Sequence, residues 1–354
     1  MQNPLRVPAR IPAPGLGRRL LAVCATDHPG GAELHLLRLL EGLARRGWQI
    51  TLSTPGPGPL RELARTAGHR WLALPLGGLR RGAGARALRA WPRARRLAGA
   101  VDVVYLNGGV CGRLLPALPA GRARRVLHVH DMVTRVPRFW RQAEVVLADS
   151  QAVARRLKGL RAQVVYGPVD PDPPVVEAPW PVGSGPVIGF VGRIEPRKGP
   201  LDLVRALPAL RRELPRARVV IVGDDPFGAD PSYTDQVIRA PQIEHYPWSA
   251  GAPGLMRHLD VLVLPSYEEP FGTVLAEAMI VGTPVVATHV DGLPEVVQDG
   301  RTGRLVAPGD PPALAAAILE VLADRERMSA AAAAGARRFA TPAYVDRVQA
   351  LIAP

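Results

Sequence analysis

The chain has 354 residues, 47% of them hydrophobic and 21% charged, with 36 Gly, 38 Pro and 2 Cys; that is more than one core usually serves, so two domains are expected. No apolar run approaches the roughly 18 residues of a spanning helix, which excludes a single-pass membrane protein, and two cysteines cannot build a disulfide framework. The net charge of +14 is uneven: residues 1–170 hold 28 Lys and Arg against 9 Asp and Glu, whereas residues 171–354 hold 17 against 22.

Residues 1–18, rich in Pro and Arg and without the apolar core of a signal peptide, read as a disordered basic arm. A strand is predicted at 20–26, then a helix at 33–46 with Leu36, Leu37, Leu40, Leu43 and Ala44 on one face and Gly47 closing it. Further strands are predicted at 48–53, 101–106, 126–129, 145–148 and 164–166. Continuous apolar runs between helices indicate strands buried on both faces, and therefore a parallel sheet. Seven prolines in residues 167–186 break the pattern and read as a linker. Strands then resume at 187–191, 218–222, 261–264 and 285–287, with helices at 201–214 and, Ala-rich and long, at 312–339. The expected organisation is an arm (1–18), an α/β domain (19–170), a Pro-rich linker (171–186), a second α/β domain (187–340) and a helix (341–354) crossing back to the first. Substrate is expected between the domains, at the carboxyl ends of their strands.

Chemistry-bearing residues fall after strands. Gly30 and Gly31 sit at the first strand-to-helix turn, where a backbone can approach a phosphate closely. The three-glycine dinucleotide fingerprint is absent there, which argues against a nicotinamide dehydrogenase. The chain has only two lysines, and one of them, Lys198, lies with Arg193 in a glycine-bounded turn after the strand at 187–191. A bidentate guanidinium and a compact ammonium together suit a diphosphate. Glu269 lies in the turn after residues 261–264, and Glu277 lies in the next helix on the face of Thr273. The amides around Gly272 and Thr273 form a helix N-terminus for a further phosphate contact, and two carboxylates beside it suit a polyhydroxylated ligand. Asp224 and Asp225, beside Gly223 and Pro226, read as a loop turn. His128 and His130 share one side of a strand; with Asp131 they could ligate zinc, but no fourth ligand is evident, so His128 reads as structural and His130 as the active-site candidate.

The set Gly30-Gly31-Ala32-Glu33, His128-Val129-His130-Asp131, Asp149-Ser150, Gly192-Arg193 through Lys198-Gly199, and Glu269 with Glu277 closely resembles the retaining glycosyltransferases of family 4, which have the GT-B fold of two Rossmann-like parallel-sheet domains facing a central cleft. The resemblance implies that Arg193 and Lys198 hold the diphosphate of a nucleotide sugar, Glu277 its ribose and Glu269 the donor sugar, assisted by amides at Phe271, Gly272 and Thr273. It further implies that Gly31 approaches the diphosphate and His130 the reacting carbon, with retention of configuration. His130, Arg193, Lys198 and Glu269 are then the catalytic set, and Gly30, Gly31, Phe271, Gly272, Thr273 and Glu277 complete the donor site. Asp291 departs from the family pattern, which often has Gly before Gly292-Leu293-Pro294-Glu295.

The expected activity is transfer of a hexose from a nucleoside diphosphate sugar to a glycan, lipid-linked or small-molecule acceptor, with no cofactor and no metal. Base contacts are expected near residues 243–248. A cytoplasmic enzyme is expected, peripheral on the inner face of the membrane if the +19 of residues 1–170 meets anionic lipid. Arg supplies 43 of the 45 basic residues, so codon composition is the competing account of that charge. The alternatives are an epimerase or phosphorylase of similar architecture and, less favoured for want of interleaved aromatics, a nucleic-acid-binding protein.

Overall fold

The first strand, β1 (Arg19–Cys24), alternates its side chains between two apolar clusters: Leu20, Ala22 and Cys24 join one, Leu21 and Val23 the other. A strand buried on both faces needs a covering layer on each, and parallel strands joined by crossover helices supply it. The computed structural model describes residues 17–77, 84–181, 183, 185–226, 228, 230–249 and 251–353. The predicted arm lies outside the described residues except for Gly17 and Arg18.

The chain divides into two compact units, residues 5–168 with 341–354, and residues 169–340. In the N-terminal unit β1 is joined by β2 (Gln49–Thr54), β3 (Arg70–Ala73), β4 (Val103–Asn107), β5 (Arg124–Val129), β6 (Val145–Ala148) and β7 (Ala162–Val164), in the order β3-β2-β1-β4-β5-β6-β7 with every pairing parallel. The C-terminal unit contains β8 (Val187–Val191), β9 (Arg218–Val222), β10 (Ile243–Tyr246), β11 (Val261–Leu264), β12 (Val285–Thr288) and β13 (Gly303–Val306), in the all-parallel order β10-β9-β8-β11-β12-β13. Each sheet winds outward in both directions from its first strand. The loops leaving β1 and β4, and those leaving β8 and β11, therefore diverge, and such switch points at the carboxyl edge are where open α/β sheets receive ligands.

Three strands escape the apolar-run reading, namely β3, β10 and β13. All three are sheet edges with partly exposed residues, so they lack the continuous apolar run of strands paired on both sides. The long helix expected at 312–339 is in fact Pro311–Ala323 and Arg325–Ala336 followed by a short 3-10 turn, Arg337–Phe339. Asp324 breaks it, with φ −116° and ψ 31°, and its carboxylate accepts from Arg327 Nε at 2.6 Å; alanine content alone does not reveal such a break. The described residues of the proline-rich segment 171–186 form no helix or strand and belong to the C-terminal unit, where Trp180 is buried against Tyr246.

The last helix, Thr341–Ile352, packs on the N-terminal unit, burying Tyr344, Val345, Val348 and Ile352 in the cluster that contains Leu36, Leu40 and Leu43 of the helix Gly31–Arg45. At Gly42 the two helices meet closely: a Cβ there would stand 2.5 Å from Val345 Cγ2. A glycine inside a helix ordinarily costs about 1 kcal/mol relative to alanine. Here Gly42→Ala is expected to lower stability by about 1–3 kcal/mol in urea unfolding, because the added methyl overpacks the contact. Val345→Ala in the same chain should return much of the loss; a Gly42→Ala protein more stable than wild type would contradict the packing.

Candidate functional site

In the C-terminal unit the switch point lies between β8 and β11, and the loops that follow them are laced together. Gly199, at φ 68° in the left-handed region, caps the helix Pro200–Glu213, and a Cβ there would stand 2.1 Å from the carbonyl oxygen of Pro265. Tyr267 N–H donates to the carbonyl of Arg197 at 2.8 Å. This approach brings Lys198 Nζ onto Glu269 Oε2 in an ion pair whose side chains are 15% and 9% exposed. Beside it Glu195 Oε1 receives Arg193 at 3.2 Å and Arg197 at 3.0 Å. Glu195 is thus a site residue that the sequence motifs do not single out, although it stands between two basic positions of the same turn.

The loop after β11 ends at Gly272, whose φ of 91° starts the helix Thr273–Ile280. That helix carries Thr273 and Glu277, both half-buried, on one face, while Phe271 is buried behind it. Asp291, the departure from the family pattern, has φ 42°, a left-handed conformation that Asp tolerates better than most side chains. Its carboxylate also does what glycine cannot: Oδ2 accepts from the Glu269 N–H at 3.2 Å. The turn at Asp224 is structural, its carboxylate accepting from Trp248 N–H at 2.8 Å and its carbonyl from Ile194 N–H. The segment expected to contact a base is the edge strand β10 and the turn beyond it.

In the N-terminal unit the helix Gly31–Arg45 starts at Gly30, whose N–H donates to Glu33 Oε2 at 3.1 Å, so the helix's own carboxylate takes one of its first amides. A Cβ on Gly31 would meet nothing within 4 Å, and its φ is not positive. Neither packing nor backbone conformation within the unit calls for glycine at this position.

His130 follows β5 and is buried, with Nδ1 2.8 Å from Asp149 Oδ2 and Nε2 2.9 Å from Asn107 Oδ1. His128 Nε2 lies 2.8 Å from the other Asp149 oxygen, out of line for a good hydrogen bond, and its Nδ1 lies 2.6 Å from the Tyr105 hydroxyl. Asp131 is exposed, so the zinc set considered for His128, His130 and Asp131 is not assembled. His35, His130 and Asp149 have ligand atoms within 4.8 Å of one another. Asp149 Oδ2, however, already faces His130, and His130 also meets Asn107, so these atoms are engaged in a polar network of the protein's own.

Burial sets the charges in this network. It drives the His35 pKa down to about 3 and, with the neighbouring His130, that of His128 to about 4. Burial opposes charge on His130 too, but the charge and hydrogen bond of Asp149, backed by Glu33 and Asp131, outweigh it and raise its pKa. Burial likewise opposes ionisation of Asp149, yet His130 and His128 hold it well below the usual carboxylate range. Burial raises Glu33 against the pull of His130. Asp149 stands in the Asp149-Ser150 motif, which gives it no role, and Asn107 and His35 belong to no motif; a polar residue ending an otherwise apolar strand is the available signal for Asn107.

Residues 185–324 match the family model described as glycosyl transferases group 1, and residues 29–173 the model of glycosyltransferase family 4. A phosphatidyl-myo-inositol mannosyltransferase of Mycobacterium leprae is 32% identical over 345 residues, 88% of this chain and 90% of the relative. A GDP-mannose-dependent alpha-(1-6)-phosphatidylinositol monomannoside mannosyltransferase of Mycolicibacterium smegmatis is 30% identical over 324 residues, 83% of this chain and 80% of the relative. The solved structure of Anabaena HepE with UDP and glucose shares the fold, with a TM-score of 0.80 and 24% identity over 94% of this chain and 98% of that one. These matches support a glycosyltransferase and lend nothing to the epimerase, phosphorylase or nucleic-acid alternatives.

Removing one member of a shielded ion pair leaves its partner's charge uncompensated. Lys198→Ala is therefore expected to cost roughly 3–5 kcal/mol in urea unfolding. Lys198→Met combined with Glu269→Gln should recover most of that; a Lys198→Ala protein as stable as wild type would show that the pair is not formed in solution.

Proposed function

The chain belongs to the family 4, group 1 glycosyltransferases, and from that premise we propose that it transfers a hexose from a nucleoside diphosphate sugar to an acceptor hydroxyl with retention of configuration and without a divalent metal. The observation that carries this reading is the pair of basic side chains at the β8–β11 switch point: Lys198, ion-paired with Glu269 in the loop that leads into the helix Thr273–Ile280, and Arg193, ion-paired with Glu195 in the turn after β8. Breaking the bond from the sugar's anomeric carbon to the diphosphate oxygen leaves negative charge on the diphosphate. Two fixed cations and a helix N-terminus stabilise that charge where it develops, the task a metal would otherwise perform. The acceptor oxygen bonds to the anomeric carbon on the face the diphosphate leaves, and its proton passes to the departing phosphate oxygen. Glu269 takes the donor sugar's hydroxyls and Glu277 those of the ribose. Gly31, which its own unit does not require to be glycine, is the place for close backbone approach to the diphosphate. His130 belongs at the reacting carbon.

The acceptor we propose is lipid-linked and presented at an anionic membrane surface. No helix among the described residues is long and apolar enough to cross a membrane. The helix Gly84–Ala98 buries Ala87, Ala90, Ala94 and Ala98 on its sheet and exposes Arg89, Arg93, Arg95 and Arg96 beside Leu88, which is 53% exposed. Clustered arginines around an apolar side chain suit an anionic lipid surface. Both mannosyltransferases above are named for phosphatidylinositol acceptors, which supports the same class.

A thermal-shift panel of nucleoside diphosphate sugars identifies the donor, since a ligand of the folded form raises the unfolding midpoint. With that donor, Arg193→Ala is expected to lower kcat by roughly 10²–10³-fold, and Glu277→Ala to raise the donor KM. Wild-type turnover in both variants would refute the site assignment. The enzyme should sediment with anionic vesicles and not with neutral ones, and should lose this on Arg89→Glu with Arg93→Glu; indifference to both vesicles would assign the basic excess to codon composition.

A further inference from the structure

We propose that Asp149 and Asn107 are positioning residues that clamp His130 with both ring nitrogens protonated, and that this clamp ties the histidine to the glycine turn of the same unit. The hydrogen-bond pattern carries the inference. Asn107 Nδ2 donates to the carbonyl of Ala32 at 3.3 Å, which fixes the orientation of the amide. Its Oδ1 is then the atom facing His130, so His130 Nε2, at 2.9 Å, has to carry a hydrogen. On the other side of the ring Nδ1 faces a carboxylate oxygen at 2.8 Å and has to donate as well. A ring that donates from both nitrogens is an imidazolium.

The groups around it are consistent with a single cation. Glu33 and His35 come from the helix Gly31–Arg45, His128 and Asp131 flank it in the chain, and Arg38 acts on His35 from one helical turn further along. His35 and His128 are both held neutral by burial, so Asp149 balances one positive charge. The His35 ring itself is seated against Gly167, where a Cβ would stand 2.4 Å from Cε1. If His130 loses a proton, one nitrogen turns a lone pair toward either the carboxylate or the amide oxygen, and one of the two contacts opens. Opening the Asn107 side frees the amide that holds Ala32, the residue after Gly31, so loss of the proton loosens the turn as well as the ring.

The inference rests on His130 acting in the reaction, and it is tested by a readout that does not require activity. In protein carrying 15N-labelled histidine, with the His130 signal assigned through His130→Gln, both ring nitrogens should be protonated at pH 6.5 and titrate together above it. A single protonated nitrogen at that pH overturns the proposal. In kinetics, Asp149→Asn should move the alkaline limb of the kcat profile to lower pH, so that the loss relative to wild type at pH 8 is at least tenfold greater than at pH 6, with the donor KM little changed. A uniform loss at all pH values, with the His130 titration unshifted in the variant, would make Asp149 merely structural and overturn its proposed role. If Asp149→Asn does not fold, Asn107→Ala takes its place, with His130 expected to titrate at lower pH and unchanged titration counting against the clamp. If the ring is doubly protonated but activity does not follow its titration, the clamp stands and the assignment of His130 to the reaction falls.

Discussion

The site depends first on a constraint of parallel sheets: strands wound outward from a central strand force their following loops apart, and whatever spans the gap fixes the site's dimensions. In the C-terminal unit the span is the Lys198–Glu269 ion pair between the loops after β8 and β11. It is held from below by backbone contacts, Gly199 against Pro265 and Tyr267 N–H to Arg197, so the side chains meet on a frame that neither of them has to build. Asp291 reaches the same frame from the loop after β12 through the Glu269 amide. Three successive carboxyl-end loops thus converge on one glutamate.

The N-terminal unit solves the same problem with neutral and charged hydrogen bonds. Asn107, at the end of β4, spans to the glycine turn after β1 through Ala32, and to His130 after β5. Asp149, after β6, anchors the far side. Asn107, His130 and Asp149 are all buried, and a buried polar network specifies one arrangement because each alternative leaves a donor or acceptor without its partner.

What was legible in the sequence follows from the range of the forces involved. The central strands could be read because burial on both faces leaves a continuous apolar run, as in residues 187–191 and 261–264. Edge strands β3, β10 and β13, and the break at Asp324, depend on pairing and capping that a residue count does not carry. In the candidate site, the turn positions of Arg193, Lys198 and Glu269 and the helix position of Glu277 could be read because local turns and a helix face place them. Asn107 could not, and Asp149 only as a motif without a role, since what they do depends on His130, 23 and 19 residues away from them, and for Asn107 also on Ala32, 75 residues away. The compensation at Asp291 was hidden for the same reason: from sequence it is only a missing glycine.

Both units hold their polar groups in internal pairs, and this bears on how the proposed donor is selected. Lys198 is paired with Glu269 and Arg193 with Glu195, so an incoming diphosphate has to exchange existing partners for its own oxygens, which lowers net affinity. A ligand offering only the diphosphate leaves Glu269 without a partner as Lys198 turns to the phosphate, and one offering only sugar hydroxyls cannot draw Lys198 away. A ligand carrying both, at the spacing of the pair, satisfies each residue as the pair opens. Discrimination then comes from the groups that the wrong ligand leaves unpaired in a shielded place, a larger penalty than one new hydrogen bond offsets. On the proposed reading, the ion pair at the switch point is both the strut of the site and the reason that an intact nucleotide sugar is preferred to its fragments.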